Sequence, residues 1–376
     1  MRTIRLLTAA TCLVLLPSTV AAGVANGGAV AAPAAAAAAA IKVVPVKTGL
    51  NGPSGFTFSP NGKIWYLERA TGEVRILNPK TGVDRLFYKI ASVNSAGERG
   101  ALGIALDPSW RTQPFVYVYV TRTWNGALRN LLVRIRNDGG HGTHFRVLLS
   151  TPPSATGYHN GGRIRFGPDH KLYVMVGDGH ASSNAQDRTS NLQGKILRLD
   201  RDGTAAAGNP YRRIWSFGHR NSFGFTFDPK TGRLWETENG PECNDEINLI
   251  VRGGNYGWGA SANCGGTAPG DTNNSGPTPR RLPKTYFPTP IGITGAAFCL
   301  ACGLGPSVNG DLVFGMVNSP YSIRAVNMNA ARTGFSAPPR VLLNASSTGG
   351  VHSLEIGPNH RIYFSGPNGI YRLAAA

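Results

Sequence analysis

The chain has 376 residues, with 49 glycines, 26 prolines and 15% charged residues. It is long enough for a large hydrophobic core but too rich in turn-forming residues for an architecture of long helices, so we predict an all-β fold. The formal net charge of +18 favours anionic ligands or surfaces. No basic helix or nucleic-acid-binding motif accompanies this charge, and we expect no nucleic-acid partner.

The N-terminal segment predicts export followed by a tether. Two arginines precede an apolar run over residues 6–16, and small residues follow near 21–25, which is the pattern of a cleavable signal peptide over residues 1–25. Residues 26–40 are rich in alanine, which buries too little surface to offset the entropy of ordering, so we predict a disordered linker. No later segment is apolar enough to span a membrane, and we expect a secreted, extracellular protein.

One sequence unit recurs through the remaining residues, 41–376. It consists of an alternating strand, a turn such as PNGK or PKTG, and a second strand rich in tyrosine, valine and tryptophan. The units are mostly about 50 to 60 residues apart. Six copies begin at Gly55, Gly103, Arg163, Gly224, Val308 and Ser353.

Each unit is expected to hold the two inner strands of a small antiparallel sheet, which cannot bury both faces alone and must pack radially against its neighbours. Six units predict a six-bladed β-propeller with four-stranded antiparallel blades. The segment 41–49 could supply a strand to the last blade and close the ring. A two-sheet sandwich is the structural alternative, but the length and the repeat spacing fit blades better.

Four cysteines follow the predicted linker. An even number in an oxidising compartment indicates two disulfides, most simply Cys243 to Cys264 and Cys299 to Cys302. A redox or zinc role for the segment CLAC is the alternative, although it lacks a second pair of metal ligands at suitable spacing.

The stretch GYHNGGRIRFGPDHKLYVMVGDG places a histidine before the first strand of the third unit and an aspartate after its second strand. The hairpin should return Asp178 towards His159 at the rim of the central channel, where loops carry function. An imidazole backed by a carboxylate is a well-aimed proton acceptor. The alternative is a structural His–Asp hydrogen bond that fixes a loop.

Polar residues also flank the fourth unit. Arg220 and Asn221 occupy the position that His159 has one blade earlier, and they offer donors to an oxygen-rich ligand. An ordinary salt bridge between blades is the alternative for Arg220.

The segment after the fourth unit contains carbonyls and carboxylates suited to a hard cation. Calcium could use the carbonyls of Gly240 and Pro241, with Asp245 and Glu246 close by. A solvated acidic turn is the alternative. The following segment GGNYGW, residues 253–258, indicates an aromatic packing corner.

The order of the segments GERGALGIALDP, HNGGRIRFGPDHKLYVMVGDG, GHRNSFGFTFDPKTGRLWETENGPECNDEINLI and GGNYGW resembles the soluble glucose and sorbosone dehydrogenases that depend on pyrroloquinoline quinone (PQQ), including the aldose sugar dehydrogenases. The likeness covers about residues 49–373. It implies a six-bladed propeller with PQQ at the channel mouth, calcium beneath it, and oxidation of an aldose at C1 to a lactone, with the electrons passed on from PQQ to an unidentified acceptor.

The resemblance also implies residue roles. His159 would take the proton of the sugar C1 hydroxyl while a hydride passes to the quinone, and Asp178 would orient it. Arg220 and Asn221 would polarise the quinone oxygens. The carbonyls of Gly240 and Pro241 would bind calcium, and Asp245 would lie among the residues around the cofactor.

Several positions depart from the family pattern. Glu98 stands where a glutamine is usual, and Asn239 where a glutamine or histidine precedes the Gly-Pro pair. The lysine of the fifth blade has no clear match near residues 318–321. Both Glu98 and Asn239 are nevertheless expected to contact the cofactor.

The last blade lacks the two arginines that hold PQQ carboxylates in the family, since Gly350 and His352 occupy their places and Ser353 replaces an aspartate. His352 would supply a cation only when protonated, and Gly350→Arg with His352→Arg should strengthen PQQ binding. The cofactor-binding set is therefore partly eroded.

Two other functional classes stay open. A non-catalytic propeller could bind carbohydrate, cell-envelope polymers or a protein through its basic surface. Calcium-dependent lactone hydrolysis would need a ring of carboxylates and amides around the metal, which the sequence does not supply.

Overall fold

The computed structural model describes residues 40–260, 264 and 279–376, and within them 24 strands form six antiparallel sheets of four strands each. The predicted signal peptide, and the predicted linker up to residue 39, lie outside the described residues. No helix in the described ranges is long and apolar enough to cross a membrane. The prediction of a six-bladed all-β propeller with four-stranded blades is confirmed.

The strands follow one another in chain order within each blade, from the central channel outwards. Blade 1 contains β2 (Pro53–Phe58), β3 (Ile64–Glu68), β4 (Glu73–Leu77) and β5 (Asp84–Lys89). Blade 2 contains β6 (Ala101–Leu106), β7 (Phe115–Trp124), β8 (Ala127–Asp138) and β9 (His141–Thr151). Blade 3 contains β10 (Gly161–Phe166), β11 (Leu172–Val176), β12 (Lys195–Leu199) and β13 (Ile214–Phe217).

The second half of the chain repeats this order. Blade 4 contains β14 (Ser222–Phe227), β15 (Leu234–Glu238), β16 (Asp245–Ile250) and β17 (Thr285–Phe287). Blade 5 contains β18 (Ile293–Phe298), β19 (Leu312–Met316), β20 (Ser322–Val326) and β21 (Arg340–Asn344). Blade 6 contains β22 (Ser353–Ile356), β23 (Ile362–Gly366), β24 (Gly369–Ala375) and, from the start of the fold, β1 (Ile41–Thr48). Two short 3-10 helices cover Ser182–Gln186 and Ser346–Thr348.

Strand β1 closes the ring as the sequence predicted. It pairs antiparallel with β24, from Ile41 opposite Ala375 to Thr48 opposite Gly369. The fold therefore joins its first and last strands in one sheet.

The sequence unit that begins at Val308 was assigned wrongly within its blade. It holds β19 and β20, which are the second and third strands, while the innermost strand is β18. The sequence of β18, ITGAAF, consists mostly of small residues and lacks the aromatic signature of the other units.

Six buried apolar clusters lie between neighbouring blades. Aromatic and β-branched residues from the facing sheets form each of them, for example Trp65 with Val118 between blades 1 and 2, and Tyr173 with Phe225 between blades 3 and 4. The same arrangement recurs around the ring. Each blade is thus stabilised by burial against both neighbours rather than by a core of its own.

Glycines let the innermost strands approach one another closely. A Cβ atom at Gly103 would overlap the carbonyl oxygen of Gly162 in the next blade, and one at Gly224 would overlap that of Thr294. The close approach narrows the channel and brings the loops at its mouth together.

Both predicted disulfides are confirmed. Cys243 bonds Cys264, and Cys299 bonds Cys302. The cysteines of CLAC are therefore a structural pair in the described chain, and the redox or zinc interpretation of that segment finds no support.

Candidate active site

A cavity of about 730 Å³ opens at one mouth of the central channel. Residues from all six blades line it, because the loops before the first strand and after the second strand of each blade converge there. The lining includes Ser54, Arg69, Glu98, Tyr158, His159, His180, Arg163, Arg220, Asn221, Asn239, Gly240, Pro241, Asp245, Thr294, Asn318 and His352.

His159 and Asp178 meet at this mouth. His159 lies two residues before β10 and Asp178 two residues after β11, and His159 Nδ1 is 2.8 Å from Asp178 Oδ1. The two residues are 6% and 1% exposed. Because a carboxylate only accepts, Nδ1 carries the proton and the lone pair of Nε2 is left for the cavity.

Trp258 completes the surroundings of Asp178. Its indole Nε1 donates to Asp178 Oδ2 at 2.7 Å, while the backbone N–H of His180 donates to Oδ1 at 2.7 Å. The segment GGNYGW was interpreted from the sequence as a packing corner only. Nothing in its local pattern indicated a contact with a residue 80 positions away.

Glu98 fixes the backbone of His159. Its Oε2 accepts from the His159 N–H at 2.7 Å and from Asn221 Nδ2 at 3.0 Å. His159 has a φ of 58°, in the left-handed region that non-glycine residues rarely adopt. The carboxylate therefore joins blades 2, 3 and 4 around the imidazole, with one oxygen accepting from two protein donors.

Arg220 lies beside the imidazole with its guanidinium over the ring of Trp258, 5.4 Å from the centroid. Its backbone N–H donates to Glu238, and Nη1 donates to the carbonyl of Asn239 at 2.9 Å. Burial lowers the pKa of Arg220, against the opposing pull of carboxylates led by Asp178. Its buried Nε has no hydrogen-bond partner in the described chain.

The turn after β15 presents the predicted cation-binding carbonyls. Gly240 and Pro241 line the cavity, and neither carbonyl accepts a hydrogen bond from a described residue. Asp245 holds the turn by accepting from the N–H groups of Gly240 at 2.9 Å and Ile291 at 2.9 Å. Burial raises the pKa of Asp245, and these backbone donors oppose the rise.

Arg163 lies across the channel beneath the cavity. Its guanidinium donates to the carbonyls of Phe223 at 2.7 Å, Ser54 at 2.7 Å, Leu102 at 2.9 Å and His352 at 2.6 Å, which belong to four other blades. No motif in the sequence indicated Arg163 as part of the site. Its position just inside the first strand of a unit was the only available signal.

His352 lines the cavity but is a neutral imidazole at moderate pH. Burial, together with the neighbouring Arg163, lowers the pKa of His352 to about 4. Near neutral pH His352 therefore adds no positive charge to the cavity.

The remaining last-blade positions add no charge to the cavity. Gly350 has a φ of 102°, and a Cβ there would lie 3.1 Å from Tyr321 Cδ1. The substitution Gly350→Arg would therefore strain the backbone at this position. Ser353 lines a separate void of about 20 Å³ below Arg163, and Asn318 stands on the cavity wall without a charge.

Comparison with known proteins shows the family. The family model described as Glucose / Sorbosone dehydrogenase matches residues 50–369. The chain is 33% identical to quinoprotein glucose dehydrogenase B of Acinetobacter calcoaceticus over 246 residues, which are 57% of this chain and 51% of that protein. The matched stretch thus spans about half of that relative.

Two solved structures share the whole described fold. A putative oxidoreductase (glucose dehydrogenase) of Thermus thermophilus is 32% identical with a TM-score of 0.77, covering 89% of this chain and 99% of that one. The PQQ-bound aldose sugar dehydrogenase of Streptomyces coelicolor is 28% identical with a TM-score of 0.75, covering 89% of this chain and 98% of that one. With the propeller, the cavity at its mouth and the family match together, the chain belongs to the glucose/sorbosone dehydrogenase family.

Proposed function

We propose that this protein is a secreted PQQ-dependent aldose dehydrogenase that oxidises the C1 hydroxyl of a sugar to the lactone, with calcium as a second cofactor. The observation that carries the proposal is the His159–Asp178 pair, which faces the cavity beside the buried and partly unpartnered guanidinium of Arg220.

His159 acts as the general base. Asp178 and Glu98 hold its ring and backbone, so Nε2 faces the cavity with a free lone pair and accepts the proton of the C1 hydroxyl. The imidazolium that forms is stabilised by the adjacent carboxylate of Asp178. When bound, PQQ supplies the acceptor for the two electrons and the hydrogen of C1.

The charges around the cavity fit an anionic cofactor. Arg69, Arg163 and Arg220 line it, and none of the three forms an ion pair with a carboxylate in the described chain. Arg220 lines the cavity, so its guanidinium would donate to an oxygen of PQQ, and Asn221 lies beside it. With Gly350, His352 and Asn318 uncharged, the positive charges of these three arginines would attract the carboxylates of PQQ.

The carbonyls of Gly240 and Pro241 support a calcium ion. Both residues line the cavity, neither carbonyl accepts a hydrogen bond from a described residue, and carbonyl oxygens are ligands that calcium prefers. Asp245 orients the turn through backbone N–H groups and holds these carbonyls in place.

Binding and reduction of PQQ test the proposal. Purified protein is mixed with calcium and PQQ, an aldose is added, and the quinone absorbance is followed. We expect PQQ to bind at micromolar concentration and to be reduced by the sugar. A protein that binds no PQQ at acidic or neutral pH would instead be a non-catalytic binding propeller.

His159 variants test the mechanism in the same assay. We expect His159→Ala to retain the fold and to lose roughly a hundredfold to ten-thousandfold in kcat, because the proton acceptor is gone. Asp178→Asn is expected to lose less, since it disturbs orientation and leaves the base. Full activity in His159→Ala, with circular dichroism matching the unsubstituted protein, would refute this role.

A further inference from the structure

A cluster of ionisable residues lies behind Arg220, away from the cavity. His219, Glu236 and Glu238 are 0%, 0% and 4% exposed. One potential metal-ligating atom of each lies within 4.8 Å of the others, and the described residues contain no second group of this kind. His219 comes from the loop before β14, and both glutamates come from β15.

The imidazole of His219 is oriented towards the two carboxylates. Nδ1 is 3.1 Å from Glu238 Oε2 and 3.2 Å from Glu236 Oε2. The other ring nitrogen is 2.9 Å from Ser216 Oγ, and the ring of Tyr256 stacks on the imidazole at 4.8 Å. The ring plane and the direction of Nδ1 are therefore fixed by the fold.

Glu236 is a fully buried carboxylate whose Oε2 lies 3.2 Å from His219 Nδ1, but it forms no hydrogen bond of good geometry. Neither of its oxygens accepts a hydrogen bond from the described chain, because the single bond that Nδ1 can donate goes to Glu238. Asn248 lies opposite Glu236 in the β15–β16 ladder, is fully buried, and has an Oδ1 without a donor. Oxygens buried without compensation are strongly unfavourable, and an ion is one explanation for such groups.

We propose that His219, Glu236 and Glu238 bind one Zn²⁺ ion. Donors that share an ion at about 2.0 to 2.2 Å lie roughly 3 Å apart, and this matches the separations between Nδ1 and the two carboxylate oxygens. An imidazole nitrogen with two carboxylates suits zinc, whereas calcium prefers a shell of six to eight oxygens. The two carboxylates balance the charge of the ion.

The ion would act on the loop that carries Arg220. Glu238 uses one oxygen within the cluster and the other to accept the backbone N–H of Arg220. A metal at this position ties the loop at 218–221 to β15. The site is distinct from the carbonyls of Gly240 and Pro241, and its occupancy is measured without reference to sugar oxidation.

Metal uptake during refolding tests the proposal. The full chain is refolded in metal-free buffer and in buffers that contain Zn²⁺, Co²⁺ or Ca²⁺, then dialysed and measured by elemental analysis. We expect about one equivalent of zinc, visible absorption from bound cobalt, and a higher melting temperature for the zinc-loaded protein. Absence of zinc and cobalt uptake, or calcium as the sole ion bound by the cluster, would overturn the proposal.

Two variants and a matched control locate the ion. Glu236→Gln and His219→Gln are each expected to weaken zinc binding at least about tenfold and to remove the zinc-dependent stabilisation. Glu355→Gln changes another largely buried glutamate, which pairs with Arg165 at 2.6 Å outside the cluster, and should leave uptake unchanged. Equal zinc uptake by the control and both cluster variants would refute the site; if neither cluster variant folds, uptake by the unsubstituted chain decides.

Discussion

The two nitrogens of His159 have different surroundings, and this difference determines what the residue can do. Nδ1 is bound to Asp178, whose other oxygen accepts from Trp258, so rotation of the ring would break a buried hydrogen bond to a carboxylate that is itself held in place. The backbone N–H is bound to Glu98. A base fixed at both ring and backbone can meet a substrate hydroxyl without first being ordered.

Glu98 is predicted to be a positioning residue. Glu98→Ala should lower kcat by at least about tenfold with little change in KM, because His159 loses the acceptor that supports its left-handed conformation, which costs about 1 to 2 kcal/mol. Glu98→Gln keeps an oxygen that accepts hydrogen bonds and removes a negative charge near the cofactor, so it should retain activity and bind PQQ more tightly. Steady-state kinetics and PQQ titration of both variants check this; unchanged kcat in Glu98→Ala would contradict it.

His352 should make the free energy of unfolding decrease as the pH falls below neutral. Its pKa is lowered to about 4 by burial and Arg163, whereas an unfolded histidine titrates near 6.5, so the folded state disfavours protonation. The stability from neutral His352 is present above about pH 6.5 and is lost as the pH falls towards 4, at about 1.4 kcal/mol per unit of pKa difference at most. Denaturant unfolding at pH 7 and 4.5 should show a smaller loss in His352→Gln than in the unsubstituted protein. An equal loss in both would refute the assignment.

At the scale of strands and loops, much of the fold follows from local sequence. Alternating residues and turns such as PNGK predict the hairpins, because the residue two positions before the second strand needs positive φ, as at Gly62, His170, Gly232 and His360. Strand β18 has no such recognisable pattern of alternating residues, because the backbone of the next blade contacts it at Gly295 and requires small side chains there.

From the repeat alone, without the family resemblance, the site was predictable only where one blade determines it. His159 and Asp178 sit at equivalent ends of one hairpin, so their meeting could be inferred from the repeat. Glu98 contacts residues 61 and 123 positions away, and Trp258 contacts one 80 positions away. Such contacts depend on how blades stack, which no local pattern encodes.

Strand β1 should contribute strongly to stability, because it completes the sheet that holds the two ends of the ring. A chain that lacks residues 1–48 removes the ladder from Ile41 to Thr48 and exposes the edge of β24. We expect its melting temperature to fall by at least several degrees, or the chain to aggregate, relative to a chain that lacks only residues 1–40. Thermal unfolding of the two truncations compares them, and equal melting temperatures would contradict this role.

At the scale of the whole molecule, the stability of the fold is shared among six interfaces between blades. A structural change in one loop at the channel mouth therefore affects the packing of its blade against both neighbouring blades. The chain also carries a net charge of +18, and three of its arginines line the cavity. Anionic ligands are thus attracted both by the surface as a whole and by the mouth of the channel.

Calcium should raise the melting temperature by mass action if it binds the carbonyls of Gly240 and Pro241. A concentration one hundred times the dissociation constant stabilises the folded state by about 2.7 kcal/mol. The measurement is made in Glu236→Gln, so that the buried cluster does not contribute. A melting temperature that is the same in chelator and in millimolar calcium would count against the calcium site.

The position of Arg163 limits how substrates and products can enter and leave the cavity. Its guanidinium bonds carbonyls of four other blades, and below it only a void of about 20 Å³ separates it from the Arg165–Glu355 pair. Arg163 therefore blocks the central channel below the cavity, and the cavity opens only at one mouth. In the proposed reaction, this one mouth serves the sugar, its lactone and the electron acceptor. The acceptor can therefore approach only after the lactone has left. This ping-pong order of binding and release should give parallel lines in double-reciprocal plots of rate against sugar concentration at several acceptor concentrations.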